Sequence, residues 1–475
     1  MPTPARLVLF PHQLFADYKK YLPKDVAERV SSVTLWDDPV FYGDRRGSAH
    51  GPARLQLNPL RLAWMKRAVS EFLARNEEVT YISEKELALL PLGKRYSSLK
   101  GSELYAFDAA DALLEARLKR AGVRVTWLDS PMFLLGAAQI AAYSQRVTGN
   151  KRLQQAPFYR YVKEECAADV GPAATMDSLD AENRAPFPKG AVAPVGPPGG
   201  SDGGESEGGA PPVDPEGARS WLRAWIAERF ALFGRYEDAM VPESRWMYHS
   251  GVSVFLNVGL LTPREVLTAV RAHYARIGGG AGAAAVAASA AASYEGFVRQ
   301  IAGWREYARF YYRHVPAETY AANVFGLGGA RKRAGSAWYR GDTGLPTVDR
   351  AVREAFADGY LHHIRRLMVV GNAMTLSGLH PDAVFAWMYE FALDSWDWVM
   401  VFNVYAMGTW SDGGVGMRKP YVSGSGYLRR MTRGGLAGGA AEAAEWDRRY
   451  SAFLAKHVGV LERTTLAGVA RRAAQ

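Results

Sequence analysis

The sequence predicts a two-domain protein in which an open, Rossmann-like parallel α/β sheet precedes a large α-helical domain. Strand-like and helical runs alternate over about the first 130 residues, and an almost unbroken helical period follows residue 218. The length agrees, because 475 residues exceed what one hydrophobic core usually covers, and 48% hydrophobic residues can fill two. We therefore assign residues 1–130 to an α/β domain, 131–218 to a connector and 219–475 to a helical domain.

Short runs rich in β-branched and aromatic residues predict the strands of the first domain. They are RLVLF (6–10), SVTLW (32–36), EVTYI (78–82) and VRVTWL (123–128). Between them, residues 57–76 and 105–122 carry apolar residues at every third or fourth position, which predicts helices. Strands that alternate with helices in this way favour a parallel sheet.

The connector becomes rich in Gly, Pro and Ser from about residue 170 to 218, which predicts a flexible insertion. Beyond it, five long segments carry the helical period, and most have Thr, Ser, Asp or Pro near their starts. One of them, residues 347–374, contains the adjacent histidines His362 and His363. Two small-residue tracts, 278–293 and 434–445, are predicted to be loop insertions or loosely packed helix.

Composition limits the classes of function. The chain carries 58 Lys and Arg against 48 Asp and Glu, a net charge of +10 that suits an anionic partner such as nucleic acid. Cys166 is the only cysteine in the sequence, which excludes an intrachain disulfide framework and a cysteine-rich metal site built from this chain. The sequence shows neither a signal peptide nor a membrane span, so we expect an intracellular, soluble protein, cytoplasmic or nuclear, with no membrane partner.

The common nucleotide-binding and hydrolase motifs are absent from the sequence, and two other features attract attention. Aromatic residues are dense in the helical domain, where they either form a large core or enclose a flat cofactor. His362 and His363 cannot both face one direction on a helix, so the pair is structural or else supplies an acid near a reacting centre. Arg366 and Asp394, 28 residues apart, could pair across two antiparallel helices in a cofactor pocket.

Eight stretches, in order along nearly the whole chain, resemble the photolyase/cryptochrome superfamily, and most closely its prokaryotic (6-4) photolyase branch. The stretches are FPHQLF (10–15), LDAENRAPFPKG (179–190), FGRYEDAM (233–240), HSGVSVFLNVGLLTPREV (249–266), FVRQIAGWREY (297–307), GYLHHIRRLMVVGN (359–372), FALDSWDWVMVFNVYAMGTWSDGG (391–414) and KPYVSGSGYLRRM (419–431). This resemblance implies an N-terminal antenna domain and a helical domain that buries FAD, in agreement with the two-domain prediction.

The resemblance also assigns residues to a flavin site. Ser250 and Ser253 match positions that bind the flavin diphosphate, and Arg366 and Asp394 match a salt-bridged pair beside the isoalloxazine. The other flavin-contacting positions it implies are Tyr236, Trp304, Arg305 and Met400. Relatives usually carry a polar side chain at the position of Met400, near flavin N5.

A second set of residues is implied for the lesion and for electron transfer. His362 and His363 match twin histidines at the lesion side of the flavin, and Tyr421 matches a tyrosine required there. Trp387 resembles the tryptophan that passes electrons to the flavin, with Trp338 and Tyr427 as further members of the path. In a (6-4) lesion a hydroxyl group must move between bases, so a protonated histidine is needed as general acid.

The chain departs from this branch where an iron–sulfur cluster is usually bound. The cluster cysteines fall near positions 347, 435, 438 and the segment after 445, whereas this chain has Thr347 and a Gly- and Ala-rich tract there. We therefore expect no iron–sulfur cluster and no other metal. Residues 36–55 loosely resemble the lumazine-binding pattern of the branch, which implies a lumazine-type antenna pigment.

The leading hypothesis is thus an FAD-dependent DNA photolyase, acting on UV-damaged DNA as a monomer and most of all on (6-4) photoproducts. The alternatives are a photolyase for cyclobutane pyrimidine dimers and a cryptochrome-like blue-light receptor that binds FAD without repair. A degenerate relative that binds no flavin is the remaining alternative. Arg429, Arg430 and Arg433 are candidates for phosphate contacts, although a solvated charged face explains them equally well.

Overall fold

A five-stranded parallel sheet forms the N-terminal domain in the computed structural model, which describes residues 5–149, 152–199, 210–278 and 284–475. The strand order is β3-β2-β1-β4-β5, and on the central strand Leu7 pairs with Val33 on one side and Tyr105 on the other. Strands β2 and β3 are added on one side of β1, and β4 and β5 on the other side, as in doubly wound α/β folds. The predicted fold class is confirmed. The strands are β1 Ala5–Leu9, β2 Val30–Trp36, β3 Val79–Ile82, β4 Glu103–Phe107 and β5 Val125–Leu128.

One strand was not predicted. Residues 105–122 were assigned to a single helix, but the chain forms β4 and then a helix that begins only at Ala112. Leu104 and Phe107 are buried within the domain, and the Asp111 side chain accepts a hydrogen bond from Leu114 N at 2.9 Å, which caps the helix. The prediction was wrong because the apolar spacing of the strand continues that of the helix. The helices of this domain are α1 Lys24–Arg29, α2 Pro59–Arg75, α3 Glu84–Leu89 and α4 Ala112–Arg120.

The first half of the connector packs as part of the helical domain. Helices α5 Ala137–Arg146, α6 Gln155–Glu165 and α7 Ala167–Val170 lie there. Phe158 of α6 is fully buried, and its ring stacks on Phe310 at 5.1 Å. Residues 200–209 of the predicted flexible insertion lie outside the described residues.

The remaining helices form the C-terminal domain, as predicted. They are α8 Pro215–Glu228, α9 Phe230–Phe233, α10 Ser253–Leu256, α11 Pro263–Gly278, α12 Ala284–Val298, α13 Glu306–His314, α14 Ala317–Tyr320, α15 Ala337–Arg340, α16 Pro346–Asp358, α17 Asn372–Leu376, α18 Pro381–Phe391, α19 Asp397–Val401, α20 Ser425–Met431, α21 Gly439–Lys456, α22 Val458–Leu461 and α23 Ala467–Ala474. Both small-residue tracts contribute to helices, α12 and α21, although 279–283 lie outside the described residues. In the part of the chain that the structure describes, no helix combines the length and apolarity that a bilayer crossing requires.

Among the described residues of this domain, three π-helical segments interrupt the α-helical regularity. They are Arg299–Arg305, which joins α12 to α13, Arg365–Gly371, which leads into α17, and Phe402–Gly408, which continues α19. A π turn inserts a residue into the helical repeat, so it changes the direction in which side chains point, and such turns occur frequently at functional sites.

The long helix predicted over residues 347–374 is broken immediately before the paired histidines. Helix α16 ends at Gly359, whose φ of 61° is left-handed and whose Cβ, if it had one, would lie 2.9 Å from Leu393 Cγ. Residues 360–362 are not helical, and the helix resumes at His363. The assumption that both histidines sit on one helix was therefore wrong, because a glycine turn redirects the chain between the two helical halves.

A buried ionic network joins the two domains. Asp397, the first residue of α19, receives Arg45 at 2.6 Å and His50 at 2.9 Å from the N-terminal domain. Arg45 also pairs with Asp111 at 3.0 Å, and the Tyr312 hydroxyl donates to the second oxygen of Asp397 at 2.7 Å. These side chains have almost no solvent exposure, and they fix the start of the helix that carries Trp398 and Met400.

Candidate active site

A cavity of about 610 Å³ opens in the helical domain, within the range of about 300–1,000 Å³ typical of small-molecule sites. All three π segments contribute to its wall. Ten of the fourteen predicted site residues line it: Ser250, Ser253, Trp304, Arg305, His363, Arg366, Asp394, Met400, Tyr421 and Tyr427. The fold therefore brings together residues as far apart in sequence as Ser250 and Tyr427.

The pairing of Arg366 with Asp394 is present as expected. The guanidinium donates to both carboxylate oxygens, at 2.9 and 3.1 Å, which is a bidentate arrangement. Ser253 Oγ donates to the same carboxylate at 2.7 Å, and Asn257 Nδ2 donates to the backbone carbonyl of Asp394 at 2.6 Å. Asn257 was quoted in the sequence motif but given no role. These contacts make a rigid, mostly buried polar wall on one side of the cavity.

Arg305 is fixed by a different set of contacts. Its guanidinium donates to the carbonyls of Met132 at 3.1 Å and Leu256 at 3.2 Å, and it lies 4.7 Å from the centre of the Trp398 ring. Burial lowers the pKa of Arg305 to about 10, so the side chain is still a cation at neutral pH. Because its donors are used by carbonyl groups, Arg305 stabilises the wall around Trp398.

Three histidines converge near this wall, and one of them was not predicted. His249 stacks on His362 with ring centres 4.3 Å apart and planes 12° apart, and its ring lies edge-on to His363 at 5.2 Å. Both ring nitrogens of His249 face carbonyl oxygens, of Trp246 at 3.2 Å and Glu237 at 3.0 Å. The motif HSGVSVFLN contained this residue, but sequence spacing could not show that it meets the His362–His363 pair.

The environments of these histidines differ sharply. His362 is buried, lies outside the cavity lining, and has no hydrogen-bond partner on either ring nitrogen within the described residues. Burial lowers its pKa well below the ordinary value, and burial together with nearby His363 lowers the pKa of His249 to about 3. His363 faces the cavity with 45% of its side chain exposed, and its Nε2 lies 3.8 Å from Asp238 Oδ1.

A nitrogen from each of the three rings lies within 4.8 Å of the others, a spacing compatible with a metal site. The stacking of His249 on His362 opposes this interpretation, because nearly parallel rings direct their lone pairs along parallel planes and not toward one point. The absence of a metal stays a prediction.

Further polar groups surround the histidines. Arg184, Glu237, Asp238, Gln300 and Lys419 also line the cavity, together with Tyr421 and Tyr427. Met400 lines the wall, and Asn403, in the adjoining π segment, also reaches the cavity. Asn403 therefore supplies a polar side chain to the wall that holds Met400.

Four predicted residues do not line the cavity: His362, Tyr236, Trp387 and Trp338. Tyr236 is buried behind it, against Phe187 at 5.0 Å and Tyr248 at 5.5 Å. The Trp387 indole donates to the backbone carbonyl of Trp338 at 2.8 Å, so these two residues are neighbours. The electron path through them stays a prediction.

Side chains and backbone amides form a hydrogen-bond network at the position expected for an iron–sulfur cluster. The buried carboxylate of Glu442 accepts from the Thr347 amide at 2.8 Å, the Thr347 hydroxyl at 2.7 Å and the Gly438 amide at 2.8 Å. Cys166 is buried elsewhere, in the connector, where burial raises the pKa of its thiol to about 12. The expected absence of the cluster stays a prediction.

The loop 36–55 of the N-terminal domain, matched loosely to a lumazine-binding pattern, is held by internal ion pairs. Asp44 pairs with Arg46 at 2.7 Å, Arg95 at 3.2 Å and Arg117 at 3.2 Å. Arg95 and Arg117 lie outside the loop, so these pairs tie it to the rest of the N-terminal domain. The antenna pigment stays a prediction.

Comparison with known proteins agrees with this geometry. Residues 9–201 match the family model of deoxyribodipyrimidine photo-lyase-related proteins. The chain is 34% identical over 212 residues to the (6-4) photolyase of Agrobacterium fabrum, a match that spans 44% of this chain and 39% of that protein. It is also 36% identical over 124 residues to an uncharacterised protein of Acanthamoeba polyphaga mimivirus, spanning 26% of this chain and 85% of that one.

Solved structures share the whole fold. A cryptochrome from Synechocystis superposes with a TM-score of 0.57 at 13% identity, covering 97% of this chain and 90% of that one. A bacterial class III photolyase from Agrobacterium tumefaciens superposes with a TM-score of 0.55 at 16% identity, covering 100% and 92%. The fold and cavity define a two-domain protein of the photolyase and cryptochrome type. The chain belongs to the photolyase/cryptochrome superfamily.

Proposed function

We propose that this chain binds FAD in the cavity and uses blue light to repair UV-damaged DNA, with (6-4) photoproducts as the preferred lesion. The observation that carries the proposal is the placement of His363 beside Asp238 at one end of the cavity that holds the Arg366–Asp394 pair. A cofactor wall and a candidate acid thus share one site.

The residues present fit a flavin. The cavity offers a mostly apolar surface that includes Trp304, Trp398 and Met400, together with the hydroxyl of Ser250 and the amide of Asn403. Such a combination suits a flat, partly polar cofactor. When bound and reduced, FAD supplies a light-driven electron to the lesion, and the protein supplies position and protons.

His363 is the proposed general acid. It is the one of the three clustered histidines that is both solvent-accessible and adjacent to a carboxylate, and Asp238 stabilises the charged imidazole. His249 and His362 stay neutral at pH 7 because burial lowers the pKa of each. In this proposal, His249 and His362 pack behind His363. Tyr421 and Tyr427 line the part of the cavity that would receive a lesion flipped out of the DNA.

DNA would be held by cations around the cavity mouth. Arg184 and Lys419 line the cavity, and Arg429 and Arg430 are exposed on α20. Arg433 is a weaker candidate than the sequence suggested, because it pairs with Glu243 at 3.0 Å and donates to the carbonyl of Ala191. A basic chain of this kind should bind DNA more weakly as salt rises. We propose that it acts as a monomer, free of membranes.

The second candidate function is a cryptochrome-like receptor that binds FAD and signals without repair. The apolar Met400 in the cofactor wall and the likeness to the Synechocystis cryptochrome favour it. Repair of cyclobutane dimers is the third possibility.

The deciding experiment has two stages. An absorbance spectrum of the gently purified chain should show oxidised flavin bands, and a colourless protein would contradict all three functions. The reduced protein is then given oligonucleotides with either a (6-4) photoproduct or a cyclobutane dimer under blue light. Repair of the first lesion supports the proposal, repair of the second alone reassigns the substrate, and photoreduction without repair of either supports the receptor.

A further inference from the structure

An aromatic stack continues outward from one wall of the cavity. Tyr360 lines the cavity, and its ring lies 4.2 Å from that of Trp246 with planes only 9° apart. Trp246 in turn contacts Trp221 of α8, with ring centres 5.5 Å apart and planes at 65°. None of these three residues was assigned a role by the sequence.

The loop between the two indoles is shaped to hold them in place. Gly251 has a φ of 65°, and a Cβ there would lie 2.7 Å from Cζ3 of Trp246, so the indole occupies space that only glycine leaves free. The Trp221 indole donates to the carbonyl of Ser250 at 2.7 Å. The loop that carries Ser250 to the cavity therefore also fixes the stack.

The outer rings of the stack keep a small contact with solvent. Trp246 and Trp221 are each 8% exposed, so both indoles are largely shielded but still reach the surface. The predicted path begins differently, because the ring contacts of Trp387 among the described residues are with Phe356 at 5.7 Å and Phe391 at 4.8 Å. An unsubstituted phenyl ring is much harder to oxidise than an indole or a phenol, so electrons hop less readily through those contacts.

We propose that Tyr360, Trp246 and Trp221 form an electron path from the protein surface to the cavity, which rests on the proposed binding of flavin there. One electron leaves the Trp246 indole and crosses the Tyr360 ring to a photoexcited, oxidised flavin. Trp221 then returns one electron to Trp246, and an external thiol returns one to Trp221. Each electron delivered is thus replaced by one thiol electron.

Local electrostatics assign separate roles to the three rings. Burial raises the pKa of the Tyr360 phenol, so this ring stays a protonated phenol, which is harder to oxidise than an indole. The Arg366 guanidinium, 5.5 Å from the centre of the Tyr360 ring, is balanced by Asp394 and therefore does not reverse this order. Tyr360 therefore acts as a bridge for the electron, and the radical is localised on Trp246.

The test compares aromatic substitutions in the full, flavin-loaded chain. Trp246→Phe keeps a ring in the stack but removes its readily oxidised indole, whereas Trp246→Tyr keeps an oxidisable ring. Flavin content is measured first, from the absorbance of each variant. Flash spectroscopy then follows the tryptophan radical, and continuous blue light with a thiol follows photoreduction. We expect Trp246→Phe to lose the radical signal and slow photoreduction, and Trp246→Tyr to recover part of the rate.

Trp225→Phe is the matched control, because Trp225 lies one turn from Trp221 on α8 and also donates to a backbone carbonyl, that of Tyr248 at 2.8 Å. It should behave as the unaltered chain. A flavin-loaded Trp246→Phe with an unchanged radical signal, and a loss in Trp387→Phe instead, would overturn this path while leaving the proposed function intact. Absence of flavin from the unaltered chain would defeat the proposed function itself.

Discussion

Two groups of polar side chains at the cavity satisfy their hydrogen bonds very differently. In the Arg366–Asp394 group, Asp394 accepts two guanidinium bonds, and Ser253 and Asn257 donate to its side chain and backbone. In the histidine group, His362 has no hydrogen-bond partner within the described residues, and His363 keeps a long 3.8 Å contact with Asp238. The difference indicates that the first group is organised to hold a ligand in place, whereas the histidines keep few fixed partners.

The largest expected effect comes from breaking the Arg366–Asp394 pair. Asp394→Ala leaves the largely buried Arg366 without its counterion, which should cost about 3–5 kcal/mol of the free energy of unfolding and abolish flavin retention. Urea unfolding and flavin absorbance measure the two effects. Asp394→Asn, which keeps an acceptor of the same shape, is the control and should lose less. A variant Asp394→Ala with unchanged stability and flavin content would show that this pair does not organise the wall.

The next effect concerns the histidine group and the rate of repair. His363→Ala should lower repair of a (6-4) photoproduct by about 10²–10⁴-fold, the usual contribution of a general acid, with flavin content unchanged. His362→Phe keeps the ring stack on His249 and should retain most of the repair rate. Equal losses in both variants would mean that His363 has no special role as the acid.

A smaller effect is a dependence of stability on pH. The native pKa of His249, about 3, is below the ordinary value of about 6.5 because burial favours the neutral ring. The unfolded chain therefore binds the extra proton first, so stability is fully present above about pH 6.5 and falls as the pH decreases. Between pH 6.5 and pH 5 this one group should cost up to about 2 kcal/mol.

Urea unfolding at several pH values tests this effect. Substituting His249→Phe should flatten the decline. An unchanged slope in His249→Phe would mean that this ring is already charged in the native protein, held by its two carbonyl acceptors.

The smallest expected effect concerns DNA. Replacing the cavity-lining Lys419 by Ala should weaken binding uniformly across sequences and reduce the slope of log affinity against log salt by about 1. Arg433→Ala is the comparison, because that guanidinium is already paired with Glu243. A larger salt effect for Arg433 than for Lys419 would move the DNA contact away from the cavity mouth.

The sequence predicted the parts of this molecule that depend on local pattern or on motif. The parallel sheet and the helical domain follow from hydrophobic period, and Arg366 with Asp394 followed from motif likeness. Strand β4 was missed because its apolar spacing continues that of α4. The contacts of His249 with His362 and of Trp246 with Tyr360 were missed. Both arise next to the chain turns at Gly359 and Gly251, and contacts between residues so far apart in sequence leave no periodic signal.

Asp397, at the start of α19, has a consequence for how the protein unfolds. Its counterions Arg45 and His50 come from the other domain, and its pKa lies below the ordinary value because Arg45 and His50 outweigh the large opposing effect of burial. Unfolding either domain alone would break these cross-domain pairs, so the loss of one domain removes contacts that stabilise the other. Calorimetry should therefore record a single cooperative transition, in which loss of the N-terminal sheet and collapse of the cavity coincide.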